Sequence, residues 1–172
     1  MEPLHRNLLA YVVNDPVNLT DLAGFEGAKY VVGTIFSGPY DIDPVTGRPN
    51  VSAYTGKYVD PTQPGASLPF KFSHDDGKLP NICIKIRSHR TGLSIVAPIL
   101  DAGPHSTTND YWNRPNGDST NGSRNRSGLD MTPAAGRGLG LPVSRGSPGH
   151  PPAFKTLGDE LFDWEFTPCC DK

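Results

Sequence analysis

Two alternating apolar runs, joined by a short turn, constrain this chain more than any other feature. Every second residue is apolar from Ile82 to Ile86 and again from Leu93 to Ile99, with the turn His89–Gly92 between the runs. A period of two places one face of a strand in a core and the other in water. The pattern therefore predicts a β-hairpin. If the alternation continues, Asp101 lies on the core side, where a carboxylate must be hydrogen-bonded, paired or shifted in its pKa.

Other β-rich segments predict a larger sheet around this hairpin. The chain holds 19 Gly and 18 Pro among 172 residues, but its apolar residues are grouped into strand-like runs, which is typical of a loop-rich folded domain. We expect an N-terminal arm at 1–24 and one domain at 25–172 with a long polar loop at 105–127. Strands belonging to one sheet system are predicted at 28–36, 67–73, 81–88, 93–101 and 157–167.

The charge pattern narrows the classes of partner. Residues 81–150 carry eight Lys/Arg and four Asp/Glu, a net charge of +4, whereas the whole chain has −2. A mildly basic groove suits an anionic polymer, but this density is too low to favour nucleic acid. No apolar run approaches the ~18 residues of a membrane span. Since no Cys/His spacing is typical of zinc, we expect neither a metal nor a cofactor.

The cysteines and the N-terminus bear on the cellular compartment. The chain has Cys83, Cys169 and Cys170, too few for a disulfide framework. Adjacent cysteines bridge only with strain, so we expect Cys169 and Cys170 to be free unless one pairs elsewhere. The N-terminus lacks the charged and apolar regions of a signal peptide.

Three motifs follow one another between Ile82 and Leu141. They are Arg90-Thr91-Gly92, Asp101-Ala102-Gly103-Pro104 and Leu129-Asp130-Met131-Thr132-Pro133-Ala134-Ala135. Thr132 and Pro133 predict the N-cap and first residue of a short helix. This order resembles the core of the double-psi β-barrel family, which includes RlpA-like proteins, expansins, family-45 glycoside hydrolases and MltA-type lytic transglycosylases. The resemblance implies a mainly β fold: a six-stranded double-psi β-barrel with one or two short helices and long loops.

The same resemblance implies an extracytoplasmic protein that acts on a cell-wall polysaccharide, most similar to a peptidoglycan lytic transglycosylase. Asp130 matches the general acid of the catalytic members, and Asp101 matches an aspartate near their groove. Substrate contacts are expected from Tyr111 and Trp112, because aromatic rings can stack on sugars. His105, next to the Asp101 motif, and Asp41, a counterpart of a second aspartate in the family-45 hydrolases, are further candidates. The chain departs from the family at Ala102, where Arg is usual, and in the length of the following loop.

Two other functions stay open. One is an inverting endoglucanase-like hydrolase that uses Asp130 with Asp41 or Asp43. The other is a non-catalytic, expansin-like module that binds a carbohydrate or a protein. In that case Asp130 would serve only to cap the helix or tie loops together, and Asp101 would stabilise a turn.

Overall fold

The described strands close into a barrel. The computed structural model describes residues 28–43, 46–69, 77–103 and 127–169. Its elements are β1 (Ala28–Ile35), β2 (Ala66–Leu68), β3 (Cys83–Ser88), β4 (Ser94–Ala102), β5 (Ser127–Met131), α1 (Pro133–Gly138) and β6 (Glu160–Thr167). The strand order is β1-β5-β2-β4-β3-β6, and β6 pairs with β1 to complete the ring. The fold is therefore mainly β, with a closed six-stranded barrel and, in the described residues, one short helix.

The predicted hairpin is confirmed. Strands β3 and β4 pair antiparallel, with Ile84 opposite Ala97 and Ile86 opposite Ile95. The Ser88 N–H donates to the Leu93 carbonyl at 3.0 Å, and Gly92 adopts a φ of 72°. Glycine enters this left-handed region without steric cost, so it suits the turn.

Most of the other predicted strands are also found. Strands β1 and β6 lie within the predicted segments. The prediction at 67–73 is confirmed for Ser67 and Leu68 but is wrong at Pro69, which is described and lies outside the strand; residues 70–73 lie outside the described residues. The sequence did not predict β5, because Ser127–Met131 shows no long apolar alternation. Its strand conformation comes from pairing with β1 on one side and β2 on the other. The arm at 1–24 and residues 105–126 lie outside the described residues.

Side chains from all around the barrel fill its interior. Residues with no exposed surface come from β2, β3, β4, β5 and β6: Leu68, Ile84, Ile86, Ile99, Leu129, Met131 and Phe162. Gly33 in β1 permits this packing, because a Cβ there would stand 2.5 Å from the Phe162 ring. Burying a large apolar side chain contributes about 1.5–3 kcal/mol, so these residues supply much of the stabilisation.

Helix α1 is capped as the sequence predicted. The Thr132 hydroxyl accepts the Ala135 N–H at 3.3 Å, and Pro133 occupies the first turn. The same hydroxyl donates to the Gln63 carbonyl at 2.7 Å and accepts the Gly65 N–H at 3.1 Å. Thr132 therefore anchors the segment before β2 to the start of the helix.

A disulfide joins Cys83 at the start of β3 to Cys169 just after β6. The expectation that Cys169 is free is wrong, and the alternative that it pairs elsewhere is correct. The two residues are 86 positions apart, with Cα atoms 5.1 Å from each other. Closing so long a loop restricts the unfolded chain, which stabilises the fold by about 4–5 kcal/mol in the chain-entropy treatment. Cys170 lies outside the described residues.

An ion pair ties the hairpin turn to the beginning of β6. Arg90 Nε donates to Glu160 Oε1 at 2.7 Å, and the Glu160 side chain is only 1% exposed. A buried carboxylate needs a compensating charge or hydrogen bonds. By contrast, the pair between Lys85 and Glu165, 3.3 Å apart, is about half exposed on both sides.

We expect Arg90→Met to lower the free energy of unfolding by about 2–3 kcal/mol, because it leaves the Glu160 carboxylate buried without its partner. The matched control, Lys85→Met, should cost less than about 1 kcal/mol, since solvent already screens its pair. Urea unfolding of both variants measures the two costs. Equal losses would show that burial of Glu160 does not depend on Arg90.

Candidate functional site

Four polar residues lie side by side across neighbouring strands. The strand registers pair Thr34 of β1 with Asp130 of β5, Asp130 with Ser67 of β2, and Ser67 with Asp101 of β4. We call these four residues the polar row. Paired residues in a sheet project from the same face, so the two candidate carboxylates share one face and flank Ser67.

Irregularities in two parallel strand pairs create this arrangement. The β1–β5 pair shifts register between Val32 and Gly33, one residue pair before Thr34 and Asp130, and the β2–β4 pair shifts between Ala66 and Ser67. Each shift inserts one extra residue, which moves the residues beyond it to the opposite face. The expectation that Asp101 lies on the same side as Ile99 is therefore wrong: Ile99 pairs with Ala66, but Asp101 pairs with Ser67.

The Asp130 side chain is hydrogen-bonded to a side chain of β1. Its neighbours Leu129 and Met131 are fully buried, whereas Asp130 is half-buried and points away from them. The Thr34 hydroxyl donates to Asp130 Oδ1. Capping of α1 belongs to Thr132, two residues later, so the interpretation of Asp130 as the helix cap is wrong.

Asp101 accepts two backbone hydrogen bonds through one oxygen. The N–H groups of Ala53 and Ala102 donate to Asp101 Oδ1 at 2.7 and 2.8 Å. Burial raises the pKa of Asp101; the two hydrogen bonds oppose this, and the nearby charge of Asp41 adds to it, so that the pKa lies above its ordinary value. Because both donors reach Oδ1, a proton on this carboxyl is best placed on Oδ2.

Hydrogen bonds to the backbone fix the surroundings of the polar row. The hydroxyl of Ser67 donates to the Gly103 carbonyl at 3.1 Å, and that of Ser52 donates to the Leu100 carbonyl at 2.7 Å. One bond is thus made to the residue just after β4, and the other to the β4 residue that precedes Asp101. The carboxyl is therefore positioned by hydrogen bonds from the main chain rather than by a long, mobile side chain.

Asp41 lies near Asp101 but is engaged in its own loop. Its Oδ2 accepts the Ser37 N–H at 2.6 Å, and its Oδ1 accepts from the Asn50 side chain at 2.7 Å. Asp43 accepts the Thr46 N–H at 3.3 Å within a turn. Both aspartates thus have clear roles in shaping the loop after β1. The other predicted substrate contacts, His105, Tyr111 and Trp112, lie outside the described residues.

Sequence reasoning missed Thr34 and Ser67, and it also missed a second polar cluster on β1, β3 and β6. There, His89 Nε2 lies 2.7 Å from Asp163 Oδ1, which also accepts the Tyr30 N–H. The Tyr30 ring packs on His89 with centroids 4.4 Å apart, and Tyr30 adopts a φ of 55°. No sequence periodicity signals this cluster, because it depends on the bulge between Ala28 and Val31.

Asp163 has the opposite electrostatic environment to Asp101. Burial raises its pKa, but the hydrogen bonds from His89 and the Tyr30 N–H, with the charges of His89 and Arg87, outweigh burial and hold the pKa below its ordinary value. The two carboxyls therefore differ in which protonation state the fold favours.

Within the described residues, no group of three or more His, Cys, Asp or Glu side chains could hold a metal ion. In the same part of the chain, no helix is long and apolar enough to cross a bilayer.

No protein-family model matches the chain, and no curated protein matches it.

The pKa of Asp101 predicts how stability depends on pH. A carboxyl whose pKa is raised on folding destabilises the fold as pH rises past its ordinary value near 4, because the folded state then resists losing the proton. We expect Asp101→Asn, which keeps Oδ1 as an acceptor, to be more stable than the wild type at pH 7. That advantage should shrink as the pH falls toward 4.

Asp163→Asn is the matched control with the opposite sign. A lowered pKa stabilises the fold above the ordinary pKa, and this contribution is lost as pH falls through the lower folded value. Asp163→Asn should therefore be less stable than the wild type at pH 7, with a deficit that shrinks in acid. Urea unfolding between pH 3 and pH 7 measures both differences. A deficit for Asp101→Asn at neutral pH would contradict the assigned direction.

Proposed function

We propose that this protein cleaves glycosidic bonds in a cell-wall polysaccharide, with Asp101 and Asp130 as the reacting carboxylates. The observation that carries the proposal is their common face on either side of Ser67. Glycosidic cleavage needs a proton donor to the leaving oxygen and, in hydrolysis, a second carboxylate. Two carboxylates on β5 and β4, the strands on either side of β2 in a closed barrel, can supply both.

The electrostatics favour Asp101 as the proton donor. A general acid must hold its proton near the working pH, and burial raises the pKa of Asp101 in that direction. Asp130, which accepts from Thr34, then supplies the negative charge that stabilises a positively charged sugar in the transition state. The family resemblance assigns the proton to Asp130 instead, so the two assignments make different predictions.

The fold supports the family on which this proposal draws. A closed six-stranded barrel with two parallel pairs, each carrying an aspartate just after a register shift, is compatible with the double-psi arrangement. The disulfide also supports the extracytoplasmic location in the proposal, because disulfides persist mainly in oxidising compartments.

Cleavage like that of a lytic transglycosylase is the reaction that the family resemblance favours. It needs a single proton donor, since a hydroxyl of the sugar itself attacks. The spacing of the polar row favours a second candidate, inverting hydrolysis. One strand separates the two aspartates, so their Cα atoms are about 9–10 Å apart, comparable with the ~6.5–9.5 Å between carboxyl groups of inverting enzymes. We propose Asp101, rather than Asp41 or Asp43, as the partner of Asp130, because both Asp41 oxygens and Asp43 Oδ1 accept hydrogen bonds within their own loop.

The products released from polysaccharides distinguish these reactions. Incubation with purified peptidoglycan should release anhydro-muropeptides, detected by mass spectrometry, if the lytic reaction occurs. New reducing ends from soluble β-glucans would favour inverting hydrolysis. Binding to either polymer without products would contradict cleavage and favour the non-catalytic module.

The roles of the two carboxylates are tested by Asp101→Asn and Asp130→Asn. Loss of a positioned general acid removes about 10²–10⁴-fold of rate. We expect Asp101→Asn to lose activity by this factor and to lose the alkaline limb of the pH–rate profile, because the rate falls at high pH where an essential acid loses its proton. Asp130→Asn should lose rate while it retains that limb.

Folding of each variant is checked by its melting temperature, with Asp60→Asn as an exposed control, because Asp60 only bonds Thr62 in its own turn. If Asp130→Asn abolishes the alkaline limb and Asp101→Asn does not, the proton belongs to Asp130. Full activity in both folded variants would sink the catalytic proposal.

A further inference from the structure

A recess lies next to the last turn of α1. It has a volume of about 510 Å³ and is lined by side chains from α1 and from the segment between α1 and β6. Four of its lining residues are basic: Arg137, Arg145, His150 and Lys155. We call it the basic pocket. None of the described residues that line it is an Asp or a Glu.

The chain concentrates positive charge at this place. From Met131 to Gly158 the sequence contains three Lys/Arg residues and one His but no Asp or Glu. No ion pair among the described residues involves Arg137, Arg145 or Lys155. Cations gathered without counter-charges repel one another, and an anionic ligand would relieve that repulsion.

The walls of the pocket are held by main-chain hydrogen bonds. Segment 142–155 folds back on itself, with Ser144 N–H donating to the Ala153 carbonyl and Lys155 N–H to the Pro142 carbonyl, both at 2.8 Å. A tighter turn joins Ser147 and His150 through two bonds of 2.8 Å. The basic side chains therefore extend from a fixed backbone, which lowers the entropic cost of binding.

Gly136 allows this segment to pack closely against α1. A Cβ at Gly136 would stand 2.9 Å from Val143 and 3.1 Å from Phe154. Phe154 in turn packs near Phe162 of the core, with ring centroids 5.8 Å apart. The pocket is thus anchored to the barrel rather than to an independent loop.

We propose that the basic pocket binds a sugar that carries an oxyanion, either a carboxylate or a phosphate. Arginine guanidinium groups bind both anions through paired hydrogen bonds. The hydroxyls of Ser144 and Ser147 line the same space and can bond sugar hydroxyls. The volume lies in the ~300–1,000 Å³ range of small-molecule sites and exceeds what a bare phosphate fills.

A nucleic acid fits this pocket less well. Binding of single strands depends on aromatic side chains on which bases stack, and no aromatic residue other than His150 is among the described lining residues. Three Lys/Arg residues also make few phosphate contacts. The inference does not depend on cleavage by Asp101 or Asp130, because binding is measured without turnover.

Isothermal titration calorimetry at low salt tests the proposal with four probes: trigalacturonate, glucose 1-phosphate, inorganic phosphate and a short single-stranded DNA. The wild type should bind at least one of the two sugars saturably and more tightly than inorganic phosphate, and added salt should weaken the binding. The sugar that binds more tightly identifies the carboxylate or the phosphate as the natural anion.

Arg145→Gln and Lys155→Gln should each raise the Kd of that sugar about tenfold, because each removes a charge-assisted hydrogen bond. Lys57→Gln, an exposed lysine outside the pocket, should leave it unchanged. All three side chains are on the surface, so the variants should melt like the wild type.

Absence of saturable sugar binding overturns the proposal, as does a Kd that neither pocket variant changes. Inorganic phosphate that binds as tightly as the sugars would also overturn the proposal, because the pocket would then recognise the anion and not the sugar. DNA that binds more tightly than both sugars, and through Arg145 and Lys155, would replace the sugar with a nucleic acid.

Discussion

Closure of the barrel by β6 is the constraint on which the rest of the structure depends. Strand β6 pairs antiparallel with β1 on one side and β3 on the other, and it carries Phe162 and Trp164 into the core. A closed barrel has no free sheet edge, so every strand obtains hydrogen bonds from two neighbours. Short strands such as β2 and β5 could not persist alone, and they exist because the ring is complete. The Arg90–Glu160 pair and the disulfide both act where β6 meets the hairpin.

The polar row depends on register shifts in two parallel strand pairs of the barrel, β1–β5 and β2–β4. Two parallel pairs each take up an extra residue, and in both cases an aspartate comes just after the shift. Without the shift beside Ser67, Asp101 would point with Ile99 into a fully apolar interior. The shift instead pairs it with Ser67 and leaves it half-buried, with a pKa that burial raises. A shift of one residue in strand pairing thus separates the position of the buried Ile99 side chain from that of the hydrogen-bonded Asp101 carboxyl.

The sequence predicts the parts of this structure that depend on local periodicity. The hairpin, β1, β6 and the Thr132 cap all follow from residue patterns within about ten positions of one another. Strand β5 and the face of Asp101 could not be predicted, because each is decided by partners more than thirty residues away. Asp101 and Asp130 were chosen from their motifs, but their placement around Ser67 needed the strand registers. The bond between Cys83 and Cys169 was likewise only one of the open alternatives, since sequence spacing carries no information about which strand ends meet.

The disulfide divides the barrel in a way that strand order alone conceals. Residues 83 to 169 form a covalent ring that contains β3, β4, β5, β6 and α1, whereas β1 and β2 precede it. Strand β1 lies between β5 and β6, and β2 lies between β5 and β4, so each earlier strand touches only strands of the ring. Strands β3 to β6 therefore form a covalently closed unit, and β1 and β2 are each hydrogen-bonded between two strands of that unit. The closed unit contains both carboxylates of the polar row, whereas β1 and β2 contribute the hydroxyls of Thr34 and Ser67. A single cleavage of the backbone between Cys83 and Cys169 would leave the two pieces joined by the disulfide, so both aspartates would remain in one covalently linked molecule.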